Sequence, residues 1–119
     1  MTKLLAVVAM AMLLVLPYAH ANGGSCWAPP FVFGSTCSSD TSIFGSPGHR
    51  VRYSVSVTGN AGTLVCCEAK TCDTRGCRMR SIGCGSSTFG STVPWGNNLA
   101  TPAVKCKGTP FGAFIRFSH

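Results

Sequence analysis

Eight cysteines are the feature that most restricts the fold of this short chain. An even number of cysteines in an exported protein of this size predicts a disulfide framework, here of about four bridges. Each bridge stabilises such a domain by about 2–4 kcal/mol. Many pairings of eight cysteines are possible, and the sequence does not select among them. The eight residues are Cys26, Cys37, Cys66, Cys67, Cys72, Cys77, Cys84 and Cys106.

The beginning of the chain predicts the oxidising compartment that these disulfides require. Lys3 precedes an unbroken apolar run at residues 4–16, and a small-x-small cleavage pattern follows at 19–21. The run is shorter than the roughly 20 apolar residues that cross a bilayer. We therefore predict a secretory signal peptide at residues 1–21 and one secreted, extracellular domain at residues 22–119. An uncleaved anchor helix is the alternative.

The predicted mature chain is basic. Nine Lys and Arg remain in it against three carboxylates, Asp40, Glu68 and Asp73, which gives a net charge of +6. A surplus of this size favours anionic partners such as acidic lipid head groups, acidic polysaccharide or nucleic acid. The alternative is that the charge only keeps a small secreted protein in solution.

The clearest strand signal lies in the middle of the chain. Apolar side chains at 51, 53, 55 and 57 alternate with polar ones, which predicts a strand with one buried face. Turn residues follow at 59–62, and the segment 63–69 is predicted to return as the partner strand of a hairpin. Within that segment Cys66 and Cys67 point to opposite faces, so they are expected to bond to different partners.

The remaining segments predict further strands and long loops. A short basic strand is expected at 78–82, and closing strands at 103–107 and 111–117. In the last strand four residues at period two are predicted to face the core: Phe111, Ala113, Ile115 and Phe117. The segments 22–48 and 85–102 are rich in Gly, Ser and Pro and are predicted as loops. The fold class is thus small, disulfide-rich and all-β, an antiparallel sheet or sandwich with long Gly/Ser-rich loops.

A group of basic residues is the predicted binding site for an anionic partner. Four of them lie within eleven residues that also contain two cysteines, and disulfides there would hold the charges in a fixed array. Two more lie on the polar side of the predicted first strand and would extend the surface across the hairpin. Ordinary solvated ion pairs are the alternative. The six residues are Lys70, Arg75, Arg78, Arg80, Arg50 and Arg52.

Other chemistry has little support in the sequence. Cysteines crowd between Cys66 and Cys84, but thiols of exported proteins become disulfides, so no metal or cofactor is expected. His49 and His119 are the histidines of the predicted mature chain, and no catalytic motif surrounds them. Two tryptophans, Trp27 and Trp95, lie in turn-rich segments. Such residues stack on sugars, enter a lipid interface or, more commonly, cover a small core.

These observations favour a non-enzymatic, secreted effector of the defence-peptide or venom-toxin type. Its expected partner is an anionic membrane surface, a polysaccharide or a cell-surface receptor, and no specific nucleic acid. An extracellular matrix component and a small secreted hydrolase such as a ribonuclease are the alternatives. A hydrolase would place His49 in a cleft beside a carboxylate or a second base.

Overall fold

The computed structural model describes residues 22–58 and 62–119. The predicted signal peptide lies outside the described residues. The described part is all-β, as predicted, and its ten strands are β1 (Gly23–Ala28), β2 (Cys37–Ser38), β3 (Ile43–Phe44), β4 (Arg50–Thr58), β5 (Leu64–Asp73), β6 (Gly76–Gly85), β7 (Thr88–Pro94), β8 (Leu99–Ala100), β9 (Ala103–Thr109) and β10 (Ala113–Ser118).

Two four-stranded antiparallel sheets form the body of the protein. Sheet A has the strand order β1-β10-β4-β7, and sheet B has the order β2-β9-β5-β6. Strands β3 and β8 form a separate two-stranded ribbon. Consecutive strands connect the sheets at both sides, since β1 leads to β2 and β6 leads to β7. The prediction of a small, disulfide-rich all-β fold with antiparallel sheets is confirmed.

The core is formed by the alternating faces of the long strands. In β4 the side chains of Val51, Tyr53 and Val55 are buried, and the residues between them are exposed or partly exposed. From sheet B, Val65 and Val104 pack in the same core cluster. Burying an aliphatic side chain of this kind contributes about 1.5–3 kcal/mol, which favours the two-layer arrangement.

Two hydrogen bonds join one sheet to the other. The Tyr53 hydroxyl of β4 donates to the carbonyl oxygen of Lys70 in β5 at 2.8 Å. The Thr71 hydroxyl donates to the carbonyl oxygen of Pro94 at the end of β7 at 2.7 Å. Burial raises the pKa of the Tyr53 phenol, so the hydroxyl keeps its proton and remains a donor.

Four disulfides pair all eight cysteines. Cys66 and Cys67 bond to different partners, as predicted, and their side chains leave β5 on opposite faces. Each bonds to the cysteine with which it is paired across the sheet, Cys84 in β6 and Cys106 in β9. Three disulfides join strands within sheet B, and the fourth joins β1 of sheet A to β2 of sheet B. The pairs are Cys26–Cys37, Cys66–Cys84, Cys67–Cys106 and Cys72–Cys77.

The predicted hairpin between β4 and β5 is wrong. Strand β4 pairs with β10 and β7, whereas β5 pairs with β6 and β9 in the other sheet. The chain therefore passes from sheet A to sheet B between β4 and β5. Strand β4 has the expected buried face, and it meets the buried face of β5, formed by residues such as Val65 and Ala69, across the core. A period-two pattern predicts which face is buried and leaves the identity of the hydrogen-bonded neighbour open.

Five strands, β1, β2, β3, β7 and β8, occur in segments predicted as loops, and β1 and β7 are the long ones. Strand β1 pairs with β10, and β7 pairs with β4. Both contain glycines, which weaken the strand signal. In β7 the glycine has a packing reason, because any side chain at Gly90 would collide with the carbonyl oxygen of Tyr53.

The predicted basic strand and the two closing strands are present as parts of β6, β9 and β10. Ala113, Ile115 and Phe117 face the core as expected. Phe111 does not, since 57% of it is exposed. It precedes β10 in the turn from β9, where the alternation of the strand does not apply.

Candidate functional site

The six predicted basic residues do not form one surface. Arg50 and Arg52 belong to β4 in sheet A, whereas the other four belong to the β5–β6 region of sheet B. Within sheet B, Lys70 is paired with Met79. Alternation therefore places Lys70 on the opposite face from Arg78 and Arg80. The expected surface depended on the hairpin, and it is divided because β4 and β5 lie in different sheets.

Part of the predicted set meets at the β5–β6 turn, around Asp73. The Arg78 guanidinium lies 2.9 Å from the Asp73 carboxylate, and the backbone N–H of Arg75 donates to the same carboxylate at 2.7 Å. These contacts hold the pKa of the Asp73 carboxyl below its usual value, and the hydrogen bond from the Arg75 backbone N–H has the largest effect. Arg50 and His49 line a hollow of about 530 Å³ beside Asp73. The carboxylate therefore neutralises part of the charge of this turn.

Most of the cations lack an acidic partner. Two ion pairs join residues within 22–58 and 62–119, Arg78–Asp73 and Lys105–Glu68, the latter at 3.2 Å. The described chain contains nine Lys and Arg, so seven of them form no ion pair there. These are Arg50, Arg52, Lys70, Arg75, Arg80, Lys107 and Arg116.

Large exposed apolar side chains gather at one end of the sandwich. This end is formed by the loop after β1, the turn between β9 and β10, and the first residues of β5 and β10. The exposed fraction of these side chains ranges from 38% to 64%. We refer to the group as the apolar end, and its residues are Trp27, Phe31, Val32, Phe33, Leu64, Phe111 and Phe114.

Strand pairing and backbone hydrogen bonds bring these residues together. Trp27 of β1 is opposite Phe114 of β10, with ring centroids 4.8 Å apart. The backbone N–H of Phe31 donates to the carbonyl oxygen of Gly108 at 2.8 Å, which places its loop beside the β9–β10 turn. Leu64 is paired with Thr109 at the start of the same turn.

Phe31 has an unfavourable backbone conformation. Its φ is 65°, in the left-handed region that bulky residues rarely adopt. Such a conformation costs about 1–3 kcal/mol and occurs where the surrounding structure enforces it, often at functional sites. The Phe31 side chain is 64% exposed, so its burial in the protein does not offset this cost.

Cations border the apolar end. The ammonium groups of Lys105 and Lys107 lie 5.5 Å and 5.0 Å from the centroid of the Phe33 ring, within range of cation–π attraction. Arg116 is exposed two residues after Phe114, and therefore on the same face of β10.

One carboxylate, Glu68, lies at this border, and the other two, Asp40 and Asp73, lie farther from the apolar side chains. Asp40 accepts a hydrogen bond from the backbone N–H of Gly23 at the start of β1, at the opposite end of that strand. Asp73 lies at the far end of β5 from Leu64, and Glu68 is bound to Lys105. Because Glu68 neutralises Lys105, the positive charge of the border comes from Lys107 and Arg116, which form no ion pair within the described residues.

The arrangement nearest to a catalytic site involves Ser39 and His119. The Ser39 hydroxyl and His119 Nε2 are 2.6 Å apart, and Asp40 accepts from Ser39 at 3.4 Å. Burial lowers the pKa of the His119 imidazole, and the charge of Asp40 opposes this effect. A neighbouring hollow of about 430 Å³ is lined by Asp40 and Arg116 but by neither Ser39 nor His119. The contact holds His119 against the loop that follows β2.

The other candidate residues have different surroundings. His49 borders the hollow beside Asp73, about one sheet length from the apolar end. Trp95 is fully buried and its indole N–H donates to the carbonyl oxygen of Asn98 at 2.9 Å, as expected for a residue that covers a core. Trp27 is 45% exposed. Within the described residues no group of three or more His, Cys, Asp or Glu is placed to hold a metal ion.

Sequence reasoning recognised the apolar end only in parts. The run Phe31-Val32-Phe33 is a short apolar patch in a segment predicted as a loop. Trp27 was expected to cover a small core more commonly than to stack on sugars or enter a lipid interface. The connection to Phe111 and Phe114 depends on the pairing of β1 with β10, which are far apart along the chain. No local pattern contains that information.

Comparison with protein-family models, with curated proteins and with solved structures finds no match for this chain. In the described part of the chain, no helix is long and apolar enough to cross a membrane.

Proposed function

We propose that the mature protein is a secreted, non-enzymatic effector of the defence or toxin type that binds an anionic cell surface. The observation that carries the proposal is the set of seven cations without an ion-pair partner, on a framework held by four disulfides. Cations on a rigid framework lose less conformational entropy when they bind a polyanion than cations on a flexible segment do.

Secretion is supported by the disulfides. Four bridges in a domain of this size are typical of proteins that fold in an oxidising compartment, because the cytosol keeps thiols reduced. The apolar run at residues 4–16, followed by a cleavage pattern, is consistent with export through a signal peptide.

A non-enzymatic role is supported by the surroundings of the two histidines. His119 is hydrogen-bonded to Ser39 away from the neighbouring hollow, and His49 borders a shallow region beside the Asp73–Arg78 ion pair. A ribonuclease-type reaction needs an acid and a base on either side of one substrate site. The two imidazoles lie beside different hollows.

The proposal is tested by binding to anionic and neutral surfaces. The mature, oxidised protein is titrated with phosphatidylserine/phosphatidylcholine vesicles, with phosphatidylcholine vesicles and with heparin. We expect binding to the anionic surfaces alone, and a steep loss of affinity as salt rises from roughly 0.05 M to roughly 0.5 M, since salt screens exposed charges.

A charge variant gives the matched test. Replacing Arg75, Arg78 and Arg80 with Gln removes three cations from the turn and strand where the sequence predicts anion binding. We expect weaker binding to heparin, because a flexible polyanion contacts cations on several faces, and an unchanged thermal midpoint, because all three side chains are exposed. The proposal is contradicted if the wild-type protein binds neither heparin nor anionic vesicles at low salt.

A further inference from the structure

We propose that the apolar end inserts into the interfacial region of a bilayer that contains anionic lipids, with the bordering cations at the level of the head groups. This inference rests on the proposed function, and it names the lipid bilayer as the anionic surface and one end of the sandwich as the part that contacts it.

The first argument is the exposure of the side chains. Soluble proteins rarely expose a contiguous group of large apolar residues unless the group binds something. Trp and Phe are well suited to the boundary between head groups and acyl chains. The apolar end contains one Trp and four Phe, each at least 38% exposed.

The second argument is the direction in which these side chains face. Trp27 and Phe114 lie on the outer face of sheet A, and Leu64 is exposed at the first position of β5 in sheet B. Phe31 and Phe111 lie in the loops between the sheets. Apolar side chains are therefore exposed on several sides of this end of the molecule. A fluid bilayer surrounds an inserted end, whereas one face of a rigid partner would cover only part of it.

The third argument is charge. Lys105, Lys107 and Arg116 lie behind the apolar residues. The carboxylate on that border, Glu68, is paired with Lys105, which leaves Lys107 and Arg116 without an ion-pair partner among the described residues. Long cationic side chains extend toward phosphate groups while their stems cover apolar surface. End-to-end association of two copies would instead bring the like charges of both borders together, which disfavours a dimer through this end.

The fourth argument is the conformation of Phe31. A glycine or an asparagine would adopt its positive φ at lower cost. The chain instead holds an apolar side chain there, and that side chain remains exposed in the free protein. Insertion into lipid would give this residue an apolar environment that the protein itself does not supply.

Tryptophan fluorescence tests the depth of Trp27. Trp95 is fully buried at the opposite end of the molecule and serves as an internal reference. With phosphatidylserine/phosphatidylcholine vesicles we expect a blue shift of the emission and quenching by lipids brominated on the acyl chain. Trp27→Phe keeps an apolar ring at this position and is expected to bind the vesicles without either optical change.

Paired variants test the contribution of the apolar end. Phe31→Asn combined with Phe111→Ser removes two exposed rings, and Asn tolerates the positive φ at position 31. The matched control combines Phe44→Ser with Leu99→Ser, which removes two exposed residues, 79% and 64% exposed, that pair with each other in the β3–β8 ribbon. We expect a loss of vesicle affinity of at least about tenfold in the first variant and less than about twofold in the control.

A further test compares cations that lie near the apolar end with cations that lie far from it. Strand β5 has ten residues, so the β5–β6 turn lies roughly 30 Å from the apolar end, well beyond the screening length of about 10 Å at 0.1 M salt. Replacing Lys105, Lys107 and Arg116 with Gln should therefore weaken vesicle binding several times more than replacing Arg75, Arg78 and Arg80, although both triple variants lose three cations.

The outcomes separate this inference from the proposed function. Unchanged vesicle binding by the Phe31/Phe111 variant, without a Trp27 shift in the wild type, overturns insertion and leaves anionic binding standing. Binding to heparin but not to vesicles overturns the lipid bilayer as the partner. Sedimentation of the wild type as a dimer that the Phe31/Phe111 variant dissociates shows that a second copy covers the apolar end. Circular dichroism confirms that each variant is folded.

Discussion

The two sheets of this sandwich are stabilised in different ways, sheet A by large buried side chains and sheet B by disulfides between its strands. Sheet A has no disulfide between its own strands, and it supplies large side chains such as Tyr53, Ile115 and Phe117 to the core. Sheet B has three disulfides between its strands, and its buried side chains include the smaller Ala69, Thr71 and Val104. Covalent links are thus concentrated where apolar side chains contribute less to the core.

Strand β6 shows what this arrangement permits. Of its ten residues only Ile82 is buried, so hydrophobic burial contributes little to its position. Two disulfides attach it to β5, one near each end, through Cys84 and Cys77. A strand held in this way keeps a mostly polar and basic sequence without detaching from the sheet.

The largest expected effect is the decrease in the free energy of unfolding when a charge is buried in sheet A. Val55 is fully buried, whereas Ser56 is exposed on the other face of β4. Val55→Asp places an unpaired charge in the core, which costs several kcal/mol, while Ser56→Asp should change the free energy of unfolding by no more than about 0.5 kcal/mol. Thermal denaturation of the two variants measures the difference. Equal midpoints would mean that sheet A does not depend on its apolar face.

A smaller effect is expected when disulfides are removed from sheet B. Cys67–Cys106 closes a separation of 39 residues and Cys72–Cys77 a separation of 5. The loop-entropy relation gives losses of about 3.9 and about 2 kcal/mol respectively. Urea denaturation of the paired Cys→Ala variants tests this order. A larger loss for the short loop would show that native contacts, and not the unfolded chain, determine what these bridges contribute.

The smallest expected effect concerns a contact between the sheets. Burial lowers the pKa of His119 in the folded protein below its unfolded value of about 6.5. The unfolded chain then binds more protons below that pH, so stability is full above about pH 6.5 and decreases as the pH falls. The thermal midpoint should be lower at about pH 5.5 than at about pH 7.5.

His119→Gln is the control for this dependence. Glutamine keeps a hydrogen-bonding side chain near Ser39 but does not titrate, so the difference between the two pH values should shrink. The pKa values of Asp40 and Asp73 are lowered by their hydrogen bonds, and these groups act only below about pH 4. An unchanged pH difference in the variant would assign the effect to another group.

The fold was predictable where one buried face determines the pattern. The alternation in β4, the opposite directions of Cys66 and Cys67, and the facing of Ile115 and Phe117 all follow from the period of a strand. The partner of β4 did not follow, because β10 is distant in sequence and the amino acids at 59–62 are compatible with either a hairpin or a passage between sheets. Strand β7 was missed because Gly90, required by its close approach to Tyr53, resembles a loop residue.

The candidate surfaces show the same limit. The basic residues were grouped by their proximity along the chain, and the topology divides them between two sheets. The apolar end joins segments near positions 30, 64 and 112, which are far apart in sequence. Phe111 was assigned to the core because it continues the alternation of β10 by one step into the turn. Both the distribution of the basic residues and the apolar end depend on the pairing of strands that are distant in sequence. Local sequence patterns do not reveal that pairing.

The position of β5 between two strands links its two disulfides to its register. Cys66 reaches β6 on one side, and Cys67 reaches β9 on the other. A shift of one residue would turn every side chain of β5 to the opposite face, and each thiol would then meet the wrong neighbour. Formation of both bonds therefore requires the correct register toward both neighbours at once. Once both disulfides have formed, β5 is covalently fixed in register with β6 and with β9.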